Sequence, residues 1–164
     1  MKDIQFVEGA TDAAQFRFAV VVSVYHRVIT KDLCDGAVDA LRQAGAVPNK
    51  KFDPITIIEV SGAFEIPLAA RRAADTGVFD AVVCVGCIVR GETPHFEFIA
   101  SAVAHGITIA SQLSGVPITF GVLTTNNERE AKERSSGDST NKGREAALAA
   151  VQLANVIAKL PQGK

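Results

Sequence analysis

Asp80-Ala81-Val82-Val83-Cys84-Val85-Gly86-Cys87-Ile88-Val89 runs straight into Arg90-Gly91-Glu92-Thr93-Pro94-His95. The first part is an unbroken apolar run rich in β-branched residues. It reads as a strand buried on both faces, the pattern of an inner strand of a parallel sheet. The second part is a polar turn that opens a helix over Thr93–Leu113, with Thr93 as N-cap and Pro94 at the first helical position.

The same unit recurs on either side. Upstream, Phe16–Val24 reads as a buried strand, and Lys31–Ala44 carries helical spacing that stops at Gly45. Pro54–Val60 is a second strand, and Ile66–Thr76 is a helix with Arg71 and Arg72 outward, closed by Gly77. Downstream come a strand over Pro117–Thr124 and helices over Asn127–Arg134 and Lys142–Leu160, separated by the turn Ser135–Asn141. Strands that alternate with helices in this way demand right-handed crossovers. The expected fold is α/β, a four-stranded parallel sheet covered by helices on both faces. Residues 1–164 are expected to form one domain, with 1–15 as an N-terminal extension.

Bulk properties narrow the function. The net charge is −1, so there is no basic field to hold a nucleic-acid backbone. The first residues lack the basic start and apolar run of a signal peptide, and no apolar stretch approaches membrane-spanning length. The chain is expected in the cytoplasm, without a membrane partner. Its three cysteines argue against a disulfide framework. Cys84 and Cys87 form C-x-x-C, but residues three apart in a strand point to opposite faces. They are expected to be buried hydrophobes rather than metal ligands.

In a parallel sheet, ligands bind beyond the carboxyl ends of the strands. Four segments leave those ends here: Tyr25-His26, Ser61–Glu65, Arg90–His95 and Thr124–Asn127. A helix N-terminus offers free N–H groups and the positive end of the helix dipole, a ready site for phosphate. Gly91 permits close backbone approach, and Thr93 adds a hydroxyl. His95 follows at once. The dipole disfavours its imidazolium and a bound phosphate favours it, a balance suited to proton transfer near neutral pH. Tyr25 offers an aromatic face to a planar ligand. Glu65 complements a helix start and can accept hydrogen bonds from a polyhydroxy ligand. Phe64 and Phe120 have the residue type of core groups, and His105, well round the helix from His95, has a structural role. Arg134 ends a charged helix where pairs such as Glu128–Lys132 are expected, and its planar fork suits phosphate.

Three phosphate-binding motifs find no support. Gly86–Thr93 has a P-loop outline but carries Glu92 where the lysine must stand. No GxGxxG follows the first strand, nor does a Ser/Thr/Gly loop of the sort an electron-carrying flavodoxin needs.

Taken together, Tyr25–Thr30, Gly62–Pro67, Gly86–His95, Gly115–Pro117 with Phe120–Thr125, Glu133-Arg134 and Asn141–Gly143 resemble the lumazine synthase family, from about Phe18 to Ile157. The resemblance implies a flavodoxin-like three-layer sandwich. It also implies a transferase of riboflavin biosynthesis that condenses 5-amino-6-(D-ribitylamino)uracil with 3,4-dihydroxy-2-butanone 4-phosphate. The product is 6,7-dimethyl-8-ribityllumazine, made without metal or organic cofactor. By matching position, His95 would transfer protons. Glu92 and Thr93 would hold phosphate through their backbone and Arg134 through its side chain, with Lys142 nearby. Tyr25 would stack on the pyrimidine, Ala63, Phe64 and Glu65 would meet the ribityl chain and ring, and Cys87, Ile88 and Val89 would recognise the pyrimidine. Phe120 would close the pocket.

The resemblance further implies pentamers, in some members closed into sixty-subunit shells, with Phe120 and Arg134 supplied by the neighbouring chain. It makes riboflavin synthase a candidate partner. The short turn after Arg134 leans toward a shell. The family usually has Phe-Asn where this chain has Tyr25-His26, and the turn Ser135–Thr140 also departs from its usual pattern. Some relatives with altered sites bind flavins, so the competing reading is a non-catalytic flavin or lumazine binder on the same scaffold.

Overall fold

A computed structural model describes residues 4–137 and 139–161. Parts of the expected N-terminal extension (1–3) and of the turn after Arg134 (138), together with 162–164, lie outside the described residues. Four strands, β1 (Phe18–Ser23), β2 (Ile55–Val60), β3 (Ala81–Val89) and β4 (Ile118–Thr125), form one sheet in the order β2-β1-β3-β4. Every pairing is parallel, with Phe18 opposite Ile55 and Ala81, and Cys84 opposite Phe120. Five α-helices follow in chain order: α1 (Arg27–Gln43), α2 (Ile66–Asp75), α3 (His95–Ser114), α4 (Glu128–Ser135) and α5 (Lys142–Lys159). A 3-10 turn, Ala63–Glu65, leads into α2. This is the expected α/β sandwich, with each strand's core within about two residues of its predicted bounds.

The sheet divides two apolar cores. Phe18, Val20 and Val22 of β1 meet Leu33, Ala37 and Leu41 of α1 and Ala147, Ala150 and Val151 of α5. Ala19 and Val21 face the other way, toward Ile66 and Ala70 of α2 and Val103 and Ile107 of α3. Burial on both faces explains why β1 and β3 lack the polar alternation of a half-exposed strand. Fully burying a valine such as Val20, Val21, Val83 or Val85 stabilises by about 1.5–3 kcal/mol. That exceeds the whole strand-propensity scale of roughly 1 kcal/mol. Packing, not local preference, therefore holds these strands in place.

Two helix starts differ from expectation. α1 begins at Arg27 rather than Lys31. Val28, Ile29 and Thr30 are β-branched and look strand-like, but His26 turns the chain back as β1 ends. Its carbonyl accepts hydrogen bonds from the Ile29 and Thr30 amides at 2.9 and 3.1 Å, and Ile29 and Thr30 are then buried. Burial of that first turn outweighs the weak propensity penalty. α3 begins at His95 rather than Thr93, with Pro94 at the N-cap and no side-chain cap. Pro94 has ψ 2°, short of a helical value, so Thr93 is one step too far out to cap.

The chain leaves β1 toward β2 on one side and returns past it to β3 and β4 on the other. The switch point therefore lies at the carboxyl ends of β1 and β3, where open α/β sheets form a crevice.

Candidate functional site

The exits of β1 and β2 are stitched together. The Val24 amide donates to the Val60 carbonyl at 2.8 Å, and the Tyr25 amide donates to Ser61 at 3.1 Å. β3 is fastened to β4 in the same way, with the Arg90 amide on the Thr125 carbonyl at 2.8 Å. Between these exits lies a cleft of about 490 Å³, within the usual range for small-molecule sites. Tyr25 and His26 form one wall. Gly62, Ala63 and Phe64 form a second. Cys87, Ile88 and Val89 make the floor, and Thr93 and His95 bring in the start of α3. Three of the four expected segments thus converge. The fourth, Thr124–Asn127, does not line the cleft; it anchors Arg90 and opens α4, with the Asn127 side chain accepting from the Glu130 amide at 2.9 Å.

Several side chains stand differently from expectation. Phe64 has the residue type of a core group but is 58% exposed. The 3-10 turn points Ala63 and Ile66 inward and leaves Phe64 at the mouth. Glu65 does not line the cleft. One carboxylate oxygen accepts from the Gly62 amide at 2.9 Å and from Ser61 Oγ at 3.2 Å, which fixes the loop carrying Ala63 and Phe64. Glu92 is exposed beside the cleft rather than in it. His105 is exposed on α3, with no structural contact of the kind expected.

Phe120 and Arg134 are not brought to this cleft. They share a separate depression of about 570 Å³ with Lys142 and Glu145, between β4 and α5. Phe120 is not a core group there. It sits on the edge strand, opposite Cys84 rather than near the strand end, and is 45% exposed. Arg134 donates to the Glu130 carbonyl at 3.0 Å. In the same helix the ion pair is Arg129–Glu133 at 3.6 Å, rather than the expected Glu128–Lys132. Glu128 turns instead toward His26, with Oε1 3.9 Å from Nδ1.

Phe96 and Ile99, which sequence reasoning did not single out, also line the cleft. They follow His95 on the first turns of α3 and supply its apolar side. Their only sequence signal was the helix start itself. Arg90 is the one Lys, Arg, Asp or Glu among the described lining residues. Its charge is already engaged, since Nη1 pairs with Glu97 Oε1 at 3.1 Å and the guanidinium stacks 4.7 Å from the Phe96 ring centre. The first amides of α3 carry no side-chain cap. Thr93 and His95, at the start of this helix, line the cleft, and a helix N-terminus is a place that can accept an anion. No cluster of three metal-ligating side chains occurs among the described residues, and no helix there is long and apolar enough to cross a membrane.

The C-x-x-C pair splits across the sheet. Cys84 packs in the core under α2 and α3, and Cys87 in the core under α1 and α5. Burial pushes the Cys34 and Cys87 thiols up to about 11, with the Glu128 carboxylate adding to the effect at Cys87. Burial pushes Cys84 higher still. The thiolate is the reactive form, so Ellman's reagent at neutral pH is expected to find almost no titratable thiol in the folded protein and all three in denaturant. Rapid reaction of any one in the native state would contradict this.

With the geometry in place, comparison adds one finding. A family model described as 6,7-dimethyl-8-ribityllumazine synthase matches residues 15–158. The match covers all four strands, all but the last residue of α5, and both depressions described above.

Proposed function

The chain belongs to the 6,7-dimethyl-8-ribityllumazine synthase family, and we propose that it catalyses the family's condensation of 5-amino-6-(D-ribitylamino)uracil with 3,4-dihydroxy-2-butanone 4-phosphate. Membership implies a transferase of riboflavin biosynthesis acting on small molecules as an oligomer. The observation that carries the specific reading is the single cleft at the switch point. It joins an aromatic wall, a floor of strand-end main chain, an uncapped helix N-terminus and a histidine beside it.

In this reading Tyr25 stacks on the pyrimidine, and the main chain of Cys87, Ile88 and Val89 reads its polar edge. Ala63 and Phe64 border the ribityl chain, with Glu65 holding their loop. The α3 amides near Glu92 and Thr93 take the phosphate. The 5-amino group adds to the ketone and loses water to give an imine. The neighbouring hydroxyl-bearing carbon loses a proton as phosphate leaves with its C–O bonding pair. The resulting enol tautomerises to a ketone and a methyl group, and the ribitylamino nitrogen closes the ring onto that ketone with loss of a second water. His95 moves the protons these steps require.

One chain supplies too little positive charge for this work, because the only Lys, Arg, Asp or Glu among the described lining residues, Arg90, already pairs with Glu97. The depression holding Phe120, Arg134 and Lys142 supplies the missing cations. We therefore assign each active site to two neighbouring chains. α3 also leaves Phe98, Ile109 and Leu113 exposed, an apolar surface that association would cover. The proposal extends to one domain over residues 1–164, working in the cytoplasm as pentamers, with a sixty-subunit shell as the larger form and riboflavin synthase as candidate partner. Light scattering distinguishes the assemblies.

The deciding experiment mixes purified protein with both substrates and follows lumazine fluorescence. A rate no faster than the spontaneous reaction would remove the enzyme reading, and a tightly bound yellow flavin would favour the binder. Hydrogen bonds to a charged group are worth roughly 1.5–3 kcal/mol, so Arg134→Ala should raise KM for the ketone phosphate about 10- to 100-fold. An unchanged KM removes Arg134 from the phosphate site. Assemblies mixed from Arg134→Ala and His95→Ala chains should recover activity that neither has alone. No recovery would place both residues in one chain's site.

A further inference from the structure

His26 breaks two local rules at once. Among the described residues it is the only non-glycine with positive φ, at φ 58° and ψ 46°. It also occupies the N-cap of α1 without a side-chain cap hydrogen bond. A residue with a Cβ is disfavoured in the left-handed region, and N-caps favour Ser, Thr, Asp or Asn because those side chains bind the free amides. Glycine or asparagine would meet the folding requirement better. A strained residue that its surroundings hold in place points to function when it sits in a site, and His26 lines the cleft.

Its neighbours show what the histidine provides. The imidazole stands edge-on to the Tyr25 ring, with centroids 4.8 Å apart and an interplanar angle of 78°. That is the T-shaped geometry aromatic quadrupoles favour. On its other side, Nδ1 lies 3.9 Å from Glu128 Oε1 at the start of α4. The His26 side chain is only 21% exposed, whereas Tyr25 is 68% exposed. Tyr25 is fixed through its backbone to Ser61, but its ring projects into the open cleft. A platform that must stack on a planar ligand binds best when its rotamer is already set, because less freedom is lost on binding.

We propose that His26 is a positioning residue, braced by Glu128 and holding the Tyr25 ring as a fixed stacking platform for the planar substrate. It sets affinity for the pyrimidine rather than the rate of proton transfer. This rests on the reading of the cleft as a pyrimidine site.

The chain offers a direct probe. Tyr25 is its only tyrosine and it has no tryptophan, so intrinsic tyrosine emission reports this ring alone. Time-resolved anisotropy would be measured on the ligand-free protein and on His26→Gly and His26→Asn, both of which accept a positive φ. Both variants should melt at or above the wild-type temperature. Both should gain a fast component in the anisotropy decay, and Glu128→Gln should give a smaller gain. KM for the ribitylaminouracil should rise about fivefold, the worth of one edge-on aromatic contact, with the loss concentrated in KM rather than kcat and KM for the ketone phosphate unmoved. An unchanged decay in both His26 variants would overturn the proposal. So would a loss falling on kcat, or a lowered melting temperature in both. If the wild type failed to condense the substrates, the enzyme reading would fall, while the ligand-free decay would still decide the clamp.

Discussion

His95→Ala is expected to lower turnover by about 100- to 10,000-fold, the usual contribution of a positioned proton-transfer group. The loss should fall on kcat, with KM for the ketone phosphate little changed. The structure gives the reason for that split. His95 is the first residue of α3 and its side chain lines the cleft. The amides that would hold phosphate belong to the backbone of the same turn, which alanine, a strong helix former, leaves in place. Steady-state rates of lumazine formation with each substrate varied in turn check the prediction. Equal losses in kcat and in phosphate affinity would mean that the histidine supports the turn rather than the chemistry.

Gly143→Ala is expected to destabilise the fold by about 3 kcal/mol or more, a fall in Tm of roughly 10 °C for a chain of this size. Local reasoning predicts the opposite sign. Gly143 lies in the first turn of α5, where alanine favours a helix by about 1 kcal/mol over glycine. α1 and α5, however, cross at this point with almost no gap. An added Cβ would overlap the Leu33 carbonyl oxygen and sit 2.7 Å from its carbon. Backbone cannot rotate out of the way as a flexible side chain can. Asn141 locks the same crossing. Its Nδ2 donates to the Asp32 carbonyl at 2.9 Å, and its Oδ1 accepts from the Arg144 amide at 3.0 Å. A Cβ at Gly36 would sit 2.5 Å from the Asn141 side chain. Thermal unfolding followed by circular dichroism measures the effect, and a Tm at or above wild type would show that the crossing can open.

Much of the site was legible before any coordinates. Buried strands announce themselves as apolar runs, so β1 and β3 and the segments leaving them could be placed to within a residue or two. The strand-end rule selected the segments that hold Tyr25, Ala63, Phe64, Thr93 and His95, and the family resemblance added Cys87, Ile88 and Val89; all of these line one cleft. Side-chain direction was not legible. Phe64 looked like a core residue because its type is apolar, yet the 3-10 turn leaves it at the mouth. Glu65 and Glu92 lie in the right segments, but one folds back on its own loop and the other stays in solvent.

What the sequence determined by itself is the alternation of elements, and hence a parallel sheet with a crevice at its strand ends. Period and composition are local properties, and burial on both faces leaves a mark on every residue of a strand. Only the tertiary structure decided the rest. It separated Phe120 and Arg134 from His95, because the fourth strand is an edge and its outer side faces away from the switch point. It split Cys84 from Cys87 between two cores. It bent His26 into a left-handed conformation that is uncommon for residues with a Cβ and set it against Tyr25 and Glu128, a contact between chain segments a hundred residues apart that no local pattern encodes. In the strand-to-helix stretch from Asp80 to His95, local pattern was enough to find residues that line the cleft. Its completion depends on how distant surfaces meet, because close packing is fixed by the whole set of neighbours rather than by any one stretch of chain.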